Sequence, residues 1–251
     1  MFLLTLLACG NEYLEIDAVD TGSVADEQEE DLAQWDDAEL IVLSPESASF
    51  ISIEEGGDFS AQIVDAEGNV LEFDEIQWTL VQESGWDATG AQFTDTLPVG
   101  THDIRAKAEL PNGDRVSYTV GGVLSQSVYA GTYAGNLVVD LISDQFSTAC
   151  SGAATATVQP DGEVVLGEAN CFLSFQGFDI DGVYEIDAGN DLGEVEGQIA
   201  LDVFGFQVPL DLEGSVSEGG TLTGTFTGDL LGYAEVQGTL ELERVTREVG
   251  G

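Results

Sequence analysis

The sequence predicts an all-β protein built from two domains. From Leu40 onward, short runs alternate apolar with polar residues and are interrupted by Gly, Asn and Pro, a pattern typical of strands joined by turns. No stretch with an apolar period of 3.6 residues is long enough to predict a helix with comparable clarity. A chain of 251 residues with 43% hydrophobic content has room for two modest domains.

The chain begins with a short apolar run that ends in Leu6-Leu7-Ala8-Cys9 and is followed by Gly10. This run resembles the lipobox of bacterial lipoproteins, in which the cysteine thiol is acylated and the preceding peptide is removed. The resemblance implies that residues 1–8 are a signal peptide and that Cys9 carries acyl chains such as palmitate. It also implies a lipid anchor in the bacterial cell envelope, at the outer membrane. The alternative is an ordinary apolar N-terminus with a chance cysteine.

Residues 9–39 predict an acidic, disordered tether. They are rich in Asp and Glu and contain few large apolar side chains, too few to offset the entropy lost on ordering. A flexible chain of about 30 residues would reach roughly 30 Å and lift the folded domains off the membrane. A docked helix around Asp31–Leu40 is the alternative.

Residues 40–123 predict a β-sandwich, because short strand candidates recur between turn signals. The candidates lie near Leu40–Leu43, Phe50–Ile53, Phe59–Val64, Ile76–Val81, Ala91–Asp95, Thr101–Ala108 and Arg115–Val120. The stretch Leu97–Ala108 resembles the corner and following strand of bacterial immunoglobulin-like and PKD-like domains. Ile76-Gln77-Trp78 resembles their central strand with its core tryptophan. The resemblance implies an immunoglobulin-like sandwich, here without the antibody-type cysteine pair.

Residues 128–245 predict an antiparallel meander β-barrel. The sequence Gly131–Leu137 returns in similar form as Gly224–Leu230, and every second residue from Val195 to Val203 is apolar or glycine. One face of such strands is apolar and the other acidic, as expected for a sheet with a core on one side and water on the other. Glycines on the apolar face permit the bends that close a barrel. A second two-sheet sandwich is the alternative, and no family motif is specific enough to decide.

The cysteines predict one disulfide bond. If Cys9 is acylated, Cys150 and Cys171 remain as a pair, and export would place them in an oxidising compartment. The rival interpretation is a two-thiol metal site, but no further cysteine or nearby histidine is available to complete it.

The charge is strongly acidic, with 48 Asp and Glu against 5 Lys and Arg and a formal net charge of −43. Such a chain cannot collect the phosphate contacts that drive nucleic-acid binding. Carboxylates that solvate the surface in a salty environment are one explanation, and a calcium-loaded adhesive surface is the other. The candidate Ca²⁺ ligands are Asp187, Asn190, Asp191 and Glu194, although their spacing matches no calcium loop and ordinary polar hairpin turns account for them better. No other cofactor is predicted.

Few residues with catalytic chemistry are present. His102 is the single histidine and is expected to fill a structural position at the sandwich corner, which leaves no Ser–His or Cys–His pair. Trp86 lies in a loop, either as a partly buried anchor or as a ring exposed for ligand contact. Four phenylalanines form either part of the barrel core or the lining of an apolar pocket, namely Phe172, Phe175, Phe204 and Phe206.

These observations favour a lipid-anchored, non-catalytic envelope protein that acts as an interaction or spacer module. Its expected partners are the membrane, through the lipid, and an envelope protein or glycan. The alternative function is a carrier that holds a small apolar ligand inside the barrel. A hydrolase that uses a pair of carboxylates comes third.

Overall fold

The computed structural model describes residues 32–82, 85–175, 178–203 and 205–247. The predicted signal peptide, Cys9 and the tether up to residue 31 lie outside these described residues. The prediction of an all-β protein is confirmed, because almost every element in the described part is a strand. No helix among the described residues is long and apolar enough to pass through a membrane.

The first domain is a sandwich of two sheets. The strands are β1 (Glu39–Ser44), β2 (Phe50–Ser52), β3 (Gly57–Val64), β4 (Val70–Leu71), β5 (Gln77–Leu80), β6 (Asp87–Thr89), β7 (Gln92–Asp95), β8 (Gly100–Glu109) and β9 (Arg115–Gln126). In one sheet β3 pairs with β1, β4 and β7, and the other sheet has the order β2-β9-β8-β5-β6. The two sheets enclose one apolar core and so form a β-sandwich, while the resemblance to immunoglobulin-like domains stays a prediction. The sequence pattern located every strand except the short β4 and β6.

Aromatic side chains fill the sandwich core. Trp78 on β5 is fully buried, and its indole N–H donates to the carbonyl of Gly90 at 2.9 Å. Its ring meets Phe59 edge-on at a centroid distance of 5.7 Å, and Phe59 stacks on Phe93 at 5.0 Å. The predicted core tryptophan is therefore confirmed, and aromatic packing joins the two sheets.

The sandwich begins earlier than the sequence pattern predicts. Residues 32–38 form a hydrogen-bonded turn, and Trp35 is buried against Phe73 at a ring distance of 5.7 Å. The side-chain amide of Asn112 donates to the carbonyl of Trp35 at 3.2 Å and fixes this turn to the sandwich. From residue 32 onward the chain is docked on the sandwich, as in the alternative of a docked segment around Asp31–Leu40, although it forms a turn and not an extended helix. Burial of one large indole outweighs the ordering cost of a few acidic neighbours.

The second domain is a closed antiparallel barrel. Its strands are β10 (Gly131–Ile142), β11 (Ser147–Val158), β12 (Val164–Phe175), β13 (Phe178–Asp191), β14 (Glu194–Val203), β15 (Phe206–Val216), β16 (Thr221–Asp229) and β17 (Glu235–Thr246). Each strand pairs with the next, and β17 pairs with β10. The meander barrel is therefore confirmed over a second sandwich. The sequence repeat places β10 and β16 on either side of β17, with Tyr133 and Phe226 both buried in the interior.

Side chains fill the barrel interior. Inward residues from all eight strands form one apolar cluster, whose largest members are Tyr133, Tyr184 and Phe226. Burial raises the pKa of Tyr184 to about 12. Glycine makes room where the rings are largest, since a Cβ atom on Gly238 would overlap the ring of Phe226.

The disulfide lies where the regular pairing of two barrel strands ends. The ladder between β11 and β12 runs from Val158 opposite Val165 to Ala154 opposite Ala169 and is not continued beyond that pair. Cys150 and Cys171 lie in this unpaired part, are buried, and are joined by a disulfide with a Cα–Cα distance of 5.8 Å. The predicted disulfide is confirmed, and it links β11 to β12 just beyond the end of their regular ladder.

Residues 127–130 connect the domains and make contacts with both. The carboxylate of Glu54 accepts hydrogen bonds from the Ser127 hydroxyl at 2.5 Å and from the backbone N–H of Val128 at 3.2 Å. The Ser127 N–H donates to the carbonyl of Pro160, in a turn of the barrel, at 2.8 Å. The Arg247 guanidinium lies over the ring of Phe50 at 4.6 Å. These contacts form the junction, which holds the barrel against the sandwich.

Candidate functional site

The structure does not bring the four candidate calcium ligands together. Asp187, Asp191 and Glu194 are exposed on the outside of the barrel, whereas Asn190 is buried on the opposite face of its strand. The amide of Asn190 donates to the carbonyl of Gly162 at 2.5 Å and accepts from the Gly193 N–H at 3.1 Å. Strand alternation separates Asn190 from its neighbours, so the ordinary hairpin interpretation replaces the calcium site. Across the described residues, no group of three or more His, Cys, Asp or Glu could hold a metal ion.

Trp86 is a structural anchor and not an exposed ligand contact. Its ring lies 5.3 Å from that of Phe59, and its indole N–H donates to the Asp95 carboxylate at 3.1 Å. His102 is likewise buried, with Nε2 at 2.7 Å from the carbonyl of Pro98. Both side chains therefore stabilise the sandwich.

The phenylalanines predicted to line a pocket occupy a different place. Phe172 is 71% exposed and Phe206 is 67% exposed, so neither lies inside the barrel. Phe172 projects outward next to the inward Cys171, and Phe206 lies at the start of β15, at the edge of the barrel. The Phe175 side chain and all of Phe204 lie outside the described residues. Both expectations, a place in the barrel core and a place in an internal pocket, are thus wrong for Phe172 and Phe206.

Exposed apolar side chains gather at one end of the barrel. Four hairpins turn at this end, between β10 and β11, β12 and β13, β14 and β15, and β16 and β17. Each hairpin carries at least one exposed large apolar residue at or near its turn. We call this set the apolar end, and its members are Ile142, Phe172, Phe206, Leu231 and Tyr233. Half-buried Phe146 and Leu230 pack against the barrel core beneath it.

The apolar end lies opposite the junction. The other end of the barrel holds the turns at residues 159–163, 192–193 and 217–220, which adjoin the link and the sandwich. Two of these turns, Pro160-Asp161-Gly162-Glu163 and Ser217-Glu218-Gly219-Gly220, are polar. The hairpins of the apolar end therefore point away from the sandwich, although the turn at residues 192–193 beside the junction also exposes Leu192.

Backbone conformation marks Leu231 as unusual within the apolar end. The Tyr233 N–H donates to the carbonyl of Leu230 and closes a tight turn, with Leu231 and Gly232 at φ angles of 53° and 79°. Such turns favour Asn, Asp or Gly at the first central position, because other side chains are strained at positive φ. Leu231 is also 66% exposed, so neither local geometry nor burial accounts for a leucine there.

The arrangement suits binding through apolar contact. Large exposed apolar side chains on neighbouring hairpins form an apolar surface, and such surfaces mark interaction sites in soluble domains. Aromatic residues at hairpin turns provide large contact area with little side-chain entropy to lose. Sequence patterns missed Ile142, Leu231 and Tyr233, although the turn Leu230-Leu231-Gly232-Tyr233 carries a visible signal. It places apolar residues where a hairpin turn usually has polar ones.

No protein-family model, curated protein or solved structure matches this chain. The role of the apolar end is therefore inferred from its chemistry and its position.

Proposed function

We propose that this protein is a lipid-anchored, non-catalytic interaction module of the bacterial cell envelope. Cys9 carries the anchor at the outer membrane, the sandwich and barrel form a spacer, and the apolar end binds an envelope protein. A protein with an apolar surface fits this end better than a glycan, because the exposed side chains include aliphatic Ile142 and Leu231 beside the rings.

The observation that supports the proposal is the exposure of apolar side chains on all four hairpins at one end of the barrel. Exposing Tyr233, at 78%, and the neighbouring apolar residues is unfavourable unless another surface covers them. A carrier role receives less support, because Tyr133, Tyr184 and Phe226 fill the interior in which a ligand would lie.

The position of the apolar end also supports a spacer. An anchor at Cys9 would connect through the N-terminal segment to the sandwich, where Trp35 is fixed. The junction then holds the barrel by its opposite end. The partner-binding hairpins would project away from the attachment point.

The test compares partner capture by three forms of the protein in an envelope extract of the native bacterium. One variant carries Phe172→Ser, Phe206→Ser and Tyr233→Ser at the apolar end. The matched control carries Val164→Ser, Leu166→Ser and Val245→Ser, which replace exposed apolar residues elsewhere on the barrel. We expect the native form and the control to retain the same envelope protein and the apolar-end variant to lose it. Identical capture by all three forms would refute the proposal.

The anchor is tested separately by metabolic labelling with palmitate in a bacterial host. The native chain should incorporate label and sediment with membranes, whereas Cys9→Ser should do neither. A native chain without label contradicts lipidation but leaves the binding role of the apolar end open to its own test.

A further inference from the structure

The five Lys and Arg side chains of this acidic chain occupy only two places. Arg244 and Arg247 lie at the junction, where Arg244 donates to the carbonyl of Val128 at 2.7 Å. The other three, Arg105, Lys107 and Arg115, lie together on the outer face of the sheet formed by β5, β8 and β9. A group of three cations in a chain of net charge −43 requires an explanation.

Strand register arranges these cations with neutral hydrogen-bond donors. On the outer face, Arg105 and Lys107 of β8 each lie between one residue of β5 and one of β9. We call the two rows the cationic grid, and they are Thr79, Arg105 and Thr119, followed by Gln77, Lys107 and Ser117. All six side chains can donate a hydrogen bond and none is a carboxylate. The rows are about 7 Å apart, the spacing of alternate residues along a strand.

The charged groups of Arg105 and Lys107 have no bonding partner among the described residues. Both are exposed, and neither forms an ion pair or a side-chain hydrogen bond within the described part of the chain. The carboxylates that flank them on β8 are already engaged. Asp103 accepts from the Gly122 N–H at 3.0 Å, and Glu109 pairs with Arg115 at 3.0 Å. The two cations face an open concavity of about 550 Å³, which Glu75 also lines.

An acidic segment of the same chain starts within reach of this concavity. The side chain of Asn112, in the turn between β8 and β9, donates to the carbonyl of Trp35. Residue 32, where the described part of the chain starts, therefore lies near that turn. Immediately upstream, five of the six residues from Asp26 to Asp31 are acidic. Six extended residues span about 20 Å. Lys107 precedes the turn at Leu110–Asp114 by three residues, so the segment is long enough to lie across the grid.

We propose that the cationic grid is a carboxylate-binding surface whose occupant is the segment Asp26–Asp31. In an extended chain, alternate residues project to one side about 7 Å apart, so Glu27, Glu29 and Asp31 match the spacing of Arg105 and Lys107. Each exposed ion pair is weak, but tethering keeps the segment at an effective concentration in the millimolar range. Docking shortens the free tether at low salt, and screening releases it at high salt. This proposal is independent of the lipid anchor and of the barrel partner.

Lys107 is the only lysine in the chain, which makes zero-length cross-linking specific. A carbodiimide joins a carboxylate to a lysine amine only where the two are in contact. In the full-length protein at about 0.05 M NaCl, we expect an intramolecular amide between Lys107 and Glu27, Glu29 or Asp31, identified by peptide mass spectrometry. Its yield should fall at least about fivefold in about 1 M NaCl, where the screening length is near 3 Å.

Matched variants separate docking from general acidity. The triple change Glu27→Gln, Glu29→Gln and Asp31→Asn should remove the intramolecular cross-link. The control Glu12→Gln, Glu15→Gln and Asp17→Asn also removes three carboxylates but should leave the yield unchanged. In a further variant, Arg105→Gln should lower the yield while retaining the reactive Lys107. Circular dichroism of each variant checks that the fold is retained.

Several results would overturn the proposal. They are cross-links confined to Glu75 or Glu109, equal loss in both triple variants, or a yield that does not respond to salt. Cross-links found solely between two chains would identify a second copy as the occupant and would also overturn it.

Discussion

Two leucines occupy equivalent turn positions at opposite ends of the barrel. Leu231 lies in the apolar end, and Leu192 lies in the turn between β13 and β14 beside the junction. Both have positive φ, at 53° and 49°, both precede a glycine of positive φ, and both are exposed. Leucine is unfavourable in this conformation, so each position carries local strain. The pair provides an internal comparison between a proposed binding residue and a purely structural one.

We predict that Leu231→Asn and Leu192→Asn both stabilise the fold, by about 1 kcal/mol each, because asparagine tolerates positive φ. Urea denaturation measures this change. Capture of the envelope partner should weaken for Leu231→Asn and remain unchanged for Leu192→Asn. Equal capture by the two variants would remove Leu231 from the binding surface.

Gly238 and Phe226 show how a missing side chain creates space for a ring. We predict that Gly238→Ala destabilises the barrel by about 1–3 kcal/mol, because the added methyl group overlaps the buried Phe226 ring. The control is Gly189→Ala on β13, where the new Cβ would make only ordinary contacts at 3.9 Å. The control should lie within about 0.5 kcal/mol of the native protein in chemical denaturation. Similar losses for both variants would argue against the packing explanation.

At the scale of elements, the disulfide compensates for a short ladder. Beyond Ala154 and Ala169 the regular ladder between β11 and β12 ends, although the two backbones stay close, and Cys150–Cys171 joins the strands there. Backbone groups outside a regular ladder lack the pairing partners that a ladder provides. The bond therefore has a local role in holding the two strands together, in addition to constraining the unfolded chain.

We predict that replacing both cysteines, Cys150→Ala with Cys171→Ala, lowers the free energy of unfolding by about 3 kcal/mol. Hydrogen exchange should accelerate most along residues 147–153 of β11, while β14–β16 change little. Uniform acceleration over the whole barrel would show that the bond acts only on the unfolded state. The reduced native protein provides the corresponding measurement without substitution.

The turn at residues 32–38 contributes to the sandwich through one side chain. We predict that Trp35→Ala costs about 3–5 kcal/mol, because it leaves a large cavity beside Phe73. Leu32→Ala, three residues earlier in the same turn, is the control and should have little effect because Leu32 is exposed. Thermal melting of the full-length chain distinguishes them. A small effect of Trp35→Ala would show that residues 32–38 do not stabilise the sandwich.

The strands and the barrel could be predicted from local sequence patterns, whereas the apolar end could not. Alternation from Val195 to Leu201 identified strand faces correctly, because one face of each barrel strand meets a core. Trp35 was missed because its burial depends on Phe73 and Asn112, which are far away in sequence. The calcium cluster failed because proximity in sequence places Asp187 and Asn190 on opposite faces. The apolar end was missed because it assembles from four separate hairpins.

At the scale of the molecule, carboxylates are spread over the surface, and the few Lys and Arg side chains are confined to the junction and to the sheet face that carries the cationic grid. A net charge of −43 opposes compaction unless salt screens it, and adaptation to a salty environment remains a prediction from the sequence. The junction depends on a carboxylate as well as on arginines. Partial burial raises the pKa of Glu54, but hydrogen bonds from the Ser127 and Ser52 hydroxyls and from backbone N–H groups outweigh this effect. The net result is a pKa below the usual value.

This lowered pKa predicts a pH-dependent contribution to the junction. Because the folded pKa lies below the unfolded one, the ionised Glu54 stabilises the protein above the ordinary glutamate pKa of about 4.5. That contribution is lost as pH falls through the lower folded value. Glu54→Gln should therefore reduce stability at neutral pH, and its difference from the native protein should shrink below about pH 4.5. Glu55→Gln, which removes the same charge next door but none of the hydrogen bonds to the Glu54 carboxylate, is the matched control and should not lower stability at neutral pH.

The last strand of the barrel, β17, pairs with the first, β10. The barrel therefore cannot close until the whole domain has been synthesised. Until residues 235–246 are available, β10 and β16 each keep an edge of unpaired amides and carbonyls, which can recruit strands from other chains. A product that stops before Glu235 would therefore be an aggregation hazard. The same closure brings Gly131 and Thr246, near the two ends of the domain, close together. The barrel should therefore tolerate circular permutation, with its original ends linked and new termini placed in any hairpin of the apolar end.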